Sequence, residues 1–421
     1  MRMPLDTHTG VNTGTHPLVS RETAYPFARR TGALAGSEVR ALFAVASRPE
    51  VVSLAGGMPF VSALPTELVT EAMNRVVRER GSLALQYGSG QGRPELREQI
   101  LDVMALEGIR AQADDVVVTT GSQHGLDLVA RLFLDPGDVV LAEAPSYVTA
   151  LVVFGSYEAE IDHVPMDEHG LIPEALREHI ASLRAAGRRI KLLYTVPNYS
   201  NPAGVTLSVD RREEILAIAA ENDILVLEDN PYGLLYFDAP PPNALLSLPD
   251  ARDGVIYLGT FSKTLAPGFR VGWAVAPPAI REKLVLANEA AILSPSMFTQ
   301  LVVSEYLETA DWKGQIATFR DLYRERRDAM LLALKTHLPE LTWTNPTGGF
   351  YVWLTLPEGL DSKALLPRAV ENLVAYTPGT AFFANGEGSS SMRLAFCYPE
   401  PERIREGIAR LASTINEATA Q

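Results

Sequence analysis

The sequence predicts an α/β protein with two domains: a large one on a mostly parallel, seven-stranded sheet and a smaller α+β one. Three observations carry this. From about residue 114, short runs rich in Val, Ile and Leu alternate with helical stretches. Strands apolar on both faces and separated by crossover helices form a parallel sheet covered on both sides. After about residue 295 the alternation gives way to two long helices and then to mixed strands and helices. Finally, 421 residues exceed the roughly 100–200 that one domain usually holds.

In chain order, residues 1–20 are polar and lack an apolar h-region. They read as a disordered leader, not a secretory signal. Residues 21–55 read as an N-terminal arm with a short helix at 37–46. Ser37 caps it, and Val39, Leu42, Phe43 and Ala46 share one face. This helix is expected to pack with the smaller domain. A turn follows at Gly56 and Gly57, and the large domain is read as residues 56–295. It opens with helices at 66–80 and 94–107, the second started by Pro94. Its strands are Val116–Thr119, Val139–Ala142, Ile161–Val164, Ile190–Val196, Ile224–Leu227, Val255–Leu258 and Val271–Ala276. Helices are expected at 122–134, 173–186, 208–222 and 278–291. The smaller domain, 296–421, reads as helices at 297–309, 314–337, 361–371 and 401–416. Its strands fall near 341–345, 349–356, 373–377 and 391–397.

Composition narrows the function. A net charge of −14 argues against nucleic acid or anionic membranes as partners. No apolar run reaches the ~18 residues of a membrane helix; with no secretory signal, the expected location is cytoplasmic. One cysteine, Cys397, excludes an internal disulfide framework and a Cys-rich zinc site, and reads as a small core residue. His163 and His169, near Asp162 and Asp167, lack metal-ligand spacing and read as a solvated strand end and turn; no metal is expected. Gly88, Gly90 and Gly92 do not make the dinucleotide fingerprint and do not follow a strand; they read as a flexible loop.

Ligands in an open α/β sheet bind beyond the carboxyl ends of the strands, so the residues there are the candidates. They are Thr120-Gly121-Ser122-Gln123, Pro145-Ser146-Tyr147, Asn198 to Gly204, Asp229 to Tyr232, and Thr260 to Lys263 with Arg270 beyond. A Gly-Ser-Gln turn at a helix N-terminus offers N–H groups and partial positive charge to a phosphate. Thr260, Ser262 and Arg270 add donors. Only six of the 37 basic residues are lysines, and one of them, Lys263, sits beside this set, where it can form a Schiff base with an aldehyde. Asp229 can pair with a pyridinium nitrogen and keep it protonated. Phosphate, aldehyde and pyridinium together describe pyridoxal 5'-phosphate (PLP).

The chain resembles the fold-type I PLP-dependent aminotransferases of class I/II, and within them the 2-aminoadipate, kynurenine and multi-substrate subgroup. The shared stretches are LAGGMP (54–59), QYGSGQG (86–92), TTGSQHGLDL (119–128), EAPSY (143–147) and VPNYSNPAG (196–204). EDNPY (228–232), GTFSKTLAPGFRVGW (259–273), GGFYVW (348–353) and MRLAF (392–396) complete them. One departure is Asn-Pro-Ala-Gly where the family usually has Asn-Pro-Thr-Gly. The resemblance implies an enzyme of EC 2.6.1 type that moves an amino group between an L-amino acid and a 2-oxo acid by a ping-pong mechanism, with glutamate and 2-oxoglutarate as the default pair. It implies that Lys263 is the Schiff-base lysine and proton shuttle, that Asp229 pairs with the ring nitrogen and that Tyr147 stacks on the ring. Asn201 and Tyr232 would reach the phenolic oxygen. Ser122, Gln123, Thr260, Ser262 and Arg270 would hold the phosphate. Tyr87 would reach the neighbouring subunit's phosphate, making the unit a homodimer. Arg393 would grip the substrate α-carboxylate near Asn201 and Gly57, and strand alternation places it opposite Met392, Leu394 and Phe396.

Other readings stay open at this point. A lyase or decarboxylase of the same fold would carry the same cofactor residues. A PLP-binding effector module of a transcription regulator would need a winged-helix domain in front, and the ~40 residues before the arm helix show no basic helical pattern. Arg40 is read two ways: by helix pattern as a solvated helix-face residue, or, as the resemblance implies, as the partner of a second carboxylate on glutamate or aminoadipate.

Overall fold

The computed structural model describes residues 27–33 and 48–420. The predicted leader, the 37–46 helix and Arg40 lie outside the described residues. A two-residue strand, β1 (Val52–Ser53), precedes the large sheet. That sheet holds β2 (Val116–Thr119), β3 (Val139–Ala144), β4 (Glu160–Asp167), β5 (Gly170–Leu171), β6 (Ile190–Thr195), β7 (Leu225–Asp229), β8 (Val255–Thr260) and β9 (Gly272–Val275). Their order is β2-β9-β8-β7-β6-β3-β4-β5. Pairing is parallel from β8 through β4, while β9 runs antiparallel to both β2 and β8. Every residue of β2, β8 and β9 is buried, as runs apolar on both faces require.

The sheet has one strand more than expected. β5 pairs antiparallel with the end of β4, and two residues are too few to show a period. A helix at Val148–Ser156 was also not foreseen. Its sequence, VTALVVFGS, has no polar face, and periodicity identifies only helices with one. The other large-domain helices fall within a few residues of their predicted positions, among them Ser122–Phe133 and Pro278–Ile292.

Beyond the large sheet come helices Met297–Thr309 and Trp312–His337. The second starts two residues early because the Asp311 side chain accepts from the Gly314 N–H at 3.0 Å, closing the first turn. A second sheet follows, of β10 (Thr342–Trp343), β11 (Tyr351–Thr355), β13 (Thr377–Pro378) and β14 (Ser391–Ala395), in the order β10-β11-β14-β13. The single strand expected near 373–377 is divided. β12 (Val374–Ala375) leaves this sheet and pairs in parallel with β1. Helix Pro401–Thr419 packs on Trp312–His337. Among the described residues no helix is long and apolar enough to cross a membrane.

The Gly88–Gly92 stretch, expected to be flexible, is pinned. Asn288 donates from Nδ2 to the carbonyls of Gly90 (2.6 Å) and Val118 (3.0 Å), and Gly88 lies against Met297. Gly92 has φ +96°, and an added Cβ would stand 2.4 Å from Val118 Cγ2. Gly92→Ala should therefore destabilise the protein by about 2–4 kcal/mol, from left-handed strain plus overpacking. Gly155, in the Val148–Ser156 helix with open space around its would-be Cβ, supplies the contrast: Gly155→Ala should be neutral or stabilise by about 0.5–1 kcal/mol. Urea unfolding of the two variants separates these outcomes; equal effects would contradict the account of the loop.

Candidate active site

The strands converge on one cavity because the carboxyl ends of β2, β3, β6, β7 and β8 lie at the same edge of the sheet. Antiparallel β9 brings its amino end to that edge, which is why Arg270, two residues before β9, arrives beside Thr260 at the end of β8. The cavity measures about 460 Å³. Ser122, Gln123, Tyr147, Asn201, Asp229, Tyr232, Thr260, Ser262, Lys263, Arg270, Arg393 and Gly57 all line it, so one space gathers these residues expected from sequence.

One end is an anion cradle. In the helix that begins at Ser122 the Gly121 carbonyl receives the His124 N–H, and the Ser122 and Gln123 N–H groups have no carbonyl inside the helix to receive them. Arg270 lies across this end, donating from Nη2 to the Thr120 carbonyl (3.1 Å) and from Nη1 to Ser262 Oγ (3.3 Å). Thr260 Oγ1 donates to Ser262 Oγ at 2.9 Å. Gly121 at φ +80° keeps the cradle open; a Cβ there would sit 2.5 Å from Arg270 Nη2.

Asp229 ends β7, buried to 3% exposure. Its Oδ2 accepts from the Tyr194 hydroxyl at 3.0 Å, and its Oδ1 is buried without a partner. Burial pushes its pKa from the ordinary 3.8 up to about 7; the Tyr194 hydrogen bond and the Lys263 charge oppose this. Strand alternation sends the preceding Glu228 to the other face, where its carboxylate accepts from the Leu245 and Leu246 N–H groups. Lys263 Nζ donates to the Gly57 carbonyl at 3.0 Å. Burial brings its pKa down to about 8; Cys397 opposes, Arg393 and Arg270 add to the lowering, and Asp229 opposes.

Arg393, on β14, is buried to 4% exposure. It donates from Nη1 to Asn201 Oδ1 (2.7 Å), and from Nη2 to the Ala55 carbonyl (2.6 Å) and Thr377 Oγ1 (3.3 Å). Its guanidinium lies 4.3 Å from the Tyr351 ring centroid and 4.9 Å from that of Phe382.

Sequence reasoning missed three contributors. Tyr194 precedes the end of β6 and lies one strand from Asp229; an aromatic in a strand reads as core. Tyr351 lines the cavity, with its hydroxyl 3.3 Å from that of Tyr232. An added Cβ on Gly57 would be 1.8 Å from the Tyr351 hydroxyl, so these two residues are matched in size. Met58 also lines the cavity; its place beside Gly57 was the available signal. Tyr87 does not line the cavity of its own chain and is 74% exposed. Cys397 is fully buried. His163, expected in solvent, is half-buried and structural: Nδ1 donates to the Glu143 carbonyl, and Nε2 accepts from the Ala384 N–H. Among the described residues no cluster of His, Cys, Asp or Glu is arranged to hold a metal.

A buried carboxylate oxygen with no partner, a buried amine of lowered pKa and a helix-end cradle with Arg270 fit PLP in donor set and polarity. Together with the fold they define a PLP-dependent transferase of fold type I. The chain belongs to the aminotransferase class I and II family, whose pattern it matches over residues 50–411. It is 41% identical to an aromatic-amino-acid aminotransferase of Thermococcus litoralis, covering 93% of this chain and 94% of that one. It is 39% identical to a 2-aminoadipate transaminase of Thermus thermophilus, covering 92% and 96%. The crystal structure of Pyrococcus horikoshii kynurenine aminotransferase, in complex with pyridoxamine phosphate (PMP), superposes with a TM-score of 0.90 at 40% identity. It covers 94% of this chain and 98% of that one. The protein is a PLP-dependent aminotransferase that moves an amino group between an L-amino acid and a 2-oxo acid.

The buried Asp229 has a consequence for stability. Its folded pKa lies above its unfolded one. Its contribution is therefore fully present below about pH 4 and lost as pH rises through about 7. Without PLP, the wild type should lose on the order of a few kcal/mol over that window through this group, and Asp229→Asn should not. Melting curves of the two apo proteins at pH 5.5 and 8.5 check this. Asp229→Asn must gain relative to wild type at the higher pH; a constant or shrinking difference would show that the carboxyl is not held neutral.

Proposed function

We propose that the site residues divide the work of transamination as follows. Lys263 Nζ is the group that holds the cofactor and then acts as the base for the substrate Cα proton. Its lowered pKa, from burial first, keeps a share of the amine neutral near physiological pH, as a base requires. Arg393 binds the substrate α-carboxylate, and Asn201 fixes the guanidinium and faces the same cavity. Tyr147 and Tyr232 frame the ring. Ser122, Gln123, Thr260, Ser262 and Arg270 hold the phosphate. Bound there, PLP would supply an aldehyde to receive the amino group and a protonated ring that draws off the electron pair left at Cα. The observation that carries this reading is Arg393: a buried guanidinium set by three acceptors and two aromatic rings, opening on the same cavity as Lys263.

The substrate class follows from the walls. Val148, Tyr351 and Met58 favour a large, apolar or aromatic side chain. The named relatives act on aromatic amino acids and 2-aminoadipate. The family resemblance gives Arg40 to the distal carboxylate of glutamate or aminoadipate, with glutamate/2-oxoglutarate as one pair. The working unit is a cytoplasmic homodimer with Tyr87 given to the partner's phosphate. Supporting the dimer, Leu85, Tyr87, Ile292 and Leu293 are all exposed, in two segments that the Gly88–Ser294 hydrogen bond ties together, and exposed apolar residues brought together in this way are a feature of interfaces.

Lys263→Ala should abolish transfer. Borohydride reduction of the wild-type holoenzyme followed by peptide mapping should label Lys263; a label on another lysine refutes the assignment. With an amino acid alone, the holoenzyme should yield the 2-oxo acid and PMP in equal amounts. Release of carbon dioxide or ammonia instead would mean decarboxylation or elimination.

Arg40→Ala should lower kcat/KM for glutamate and 2-aminoadipate by about ten- to a hundredfold, the effect of losing one charge-assisted hydrogen bond. Phenylalanine turnover should be nearly unchanged. Equal loss for both classes would end the distal-carboxylate role.

A further inference from the structure

We propose that Tyr194 keeps the shared proton on the ring nitrogen of the bound cofactor and off Asp229. This rests on the reading of Asp229 as the ring-nitrogen partner. Tyr194 sits on β6 opposite Leu227 of β7, fully buried. It does not line the cavity, so it acts only through Asp229 and is a positioning residue. The carboxylate is divided between two tasks. Oδ2 accepts from the Tyr194 hydroxyl at 3.0 Å, while Oδ1 is buried, has no partner and belongs to a residue that faces the cavity.

The division matters because a proton between Oδ1 and a pyridine nitrogen can rest on either. On nitrogen it leaves a pyridinium facing a carboxylate. On oxygen it leaves a neutral ring facing a carboxylic acid, and the ring then draws electrons weakly. Burial favours the neutral pair, since both charges are costly in a low-dielectric site. A hydrogen bond donated to Oδ2 stabilises the anion and makes Oδ1 a weaker base, tipping the proton to nitrogen. Tyr194 suits this task. Burial, then the adjacent Asp229 charge, pushes its own pKa well above the ordinary tyrosine value, so its proton stays in place. The Phe154 ring packs edge-on against the Tyr194 ring at 5.4 Å and 71°, a contact to the ring and not to the hydroxyl.

The experiment reads the ring nitrogen directly. Apo protein is loaded with PLP labelled with 15N in the ring, and the nitrogen chemical shift is recorded for wild type, Tyr194→Phe and Phe154→Leu. Wild type should give the pyridinium shift. Tyr194→Phe removes only the hydroxyl and should move the signal toward neutral pyridine. It should also weaken PLP binding by roughly tenfold and lower kcat by roughly ten- to a hundredfold, with KM for the amino donor near wild type. Phe154→Leu loosens the packing but keeps the hydroxyl; it should lower the melting temperature and leave the shift in place. A Tyr194→Phe signal at the wild-type position overturns the proposal, as do equal displacements in the two variants. A neutral-pyridine signal in the wild type would instead overturn the role given to Asp229.

Discussion

A carboxylate buried at the end of β7 sets the terms for the rest of the site. Asp229 lies where the sheet is covered on both faces, so its charge has no water to face, and burial alone would neutralise it. The fold supplies one hydrogen bond, from Tyr194, and leaves the second oxygen without a partner. A protein with this arrangement is incomplete until a cationic group meets Oδ1. The other cavity residues fit a group that carries such a cation: an anion cradle at Ser122 and Arg270, and an amine at Lys263.

The loops that bear these residues are held from behind by a second polar layer. Arg212, buried to 1% exposure, donates to the Leu207, Asn243 and Pro197 carbonyls and to Asn198 Oδ1. Asn198 donates to Asn230, and Asn230 donates to Glu107, which also accepts from Tyr257. The chain of bonds joins the loop after β6, which carries Asn201, to the loop after β7, which follows Asp229. Buried polar groups are tolerated when each is satisfied, and a satisfied network fixes one arrangement. Burial raises the Glu107 pKa to about 7; Tyr257 and Asn230 oppose the shift and Glu228 adds to it.

Much of this was legible in the sequence for a stated reason. Strands buried on both faces announce themselves as runs of Val, Ile and Leu, and in a parallel sheet their ends are where ligands meet. Lys263, Asp229 and Arg270 could therefore be brought together from the order of strands alone. Arg393 needed the family resemblance, since one arginine on a strand of the smaller sheet carries no signal of its own. Tyr194 and Tyr351 were missed because a buried tyrosine has the pattern of a core residue, and only coordinates show where its hydroxyl points. The Val148–Ser156 helix and β5 were missed because neither carries a period: one lacks a polar face and the other is two residues long. The Gly88–Gly92 loop was misread because glycine signals freedom in sequence, and here it marks close approach to Val118, Glu289 and Met297.

The stretch from Leu54 to Gly57 lies between two parts of the chain made far apart in time. β1 pairs with β12. The Leu54 carbonyl accepts from the Ala395 N–H, and the Ala55 carbonyl accepts from Arg393, 338 residues away. The Gly57 carbonyl accepts from Lys263. A nascent chain leaving the ribosome amino end first can complete the large sheet, with its cradle and Asp229, before β14 has been synthesised. It cannot yet place the guanidinium. Contacts of such sequence separation form slowly, so the grip on a carboxylate waits on the last part of the chain to be made. The order of synthesis thus puts the residues that fit a cofactor into the chain before the residue that grips a carboxylate.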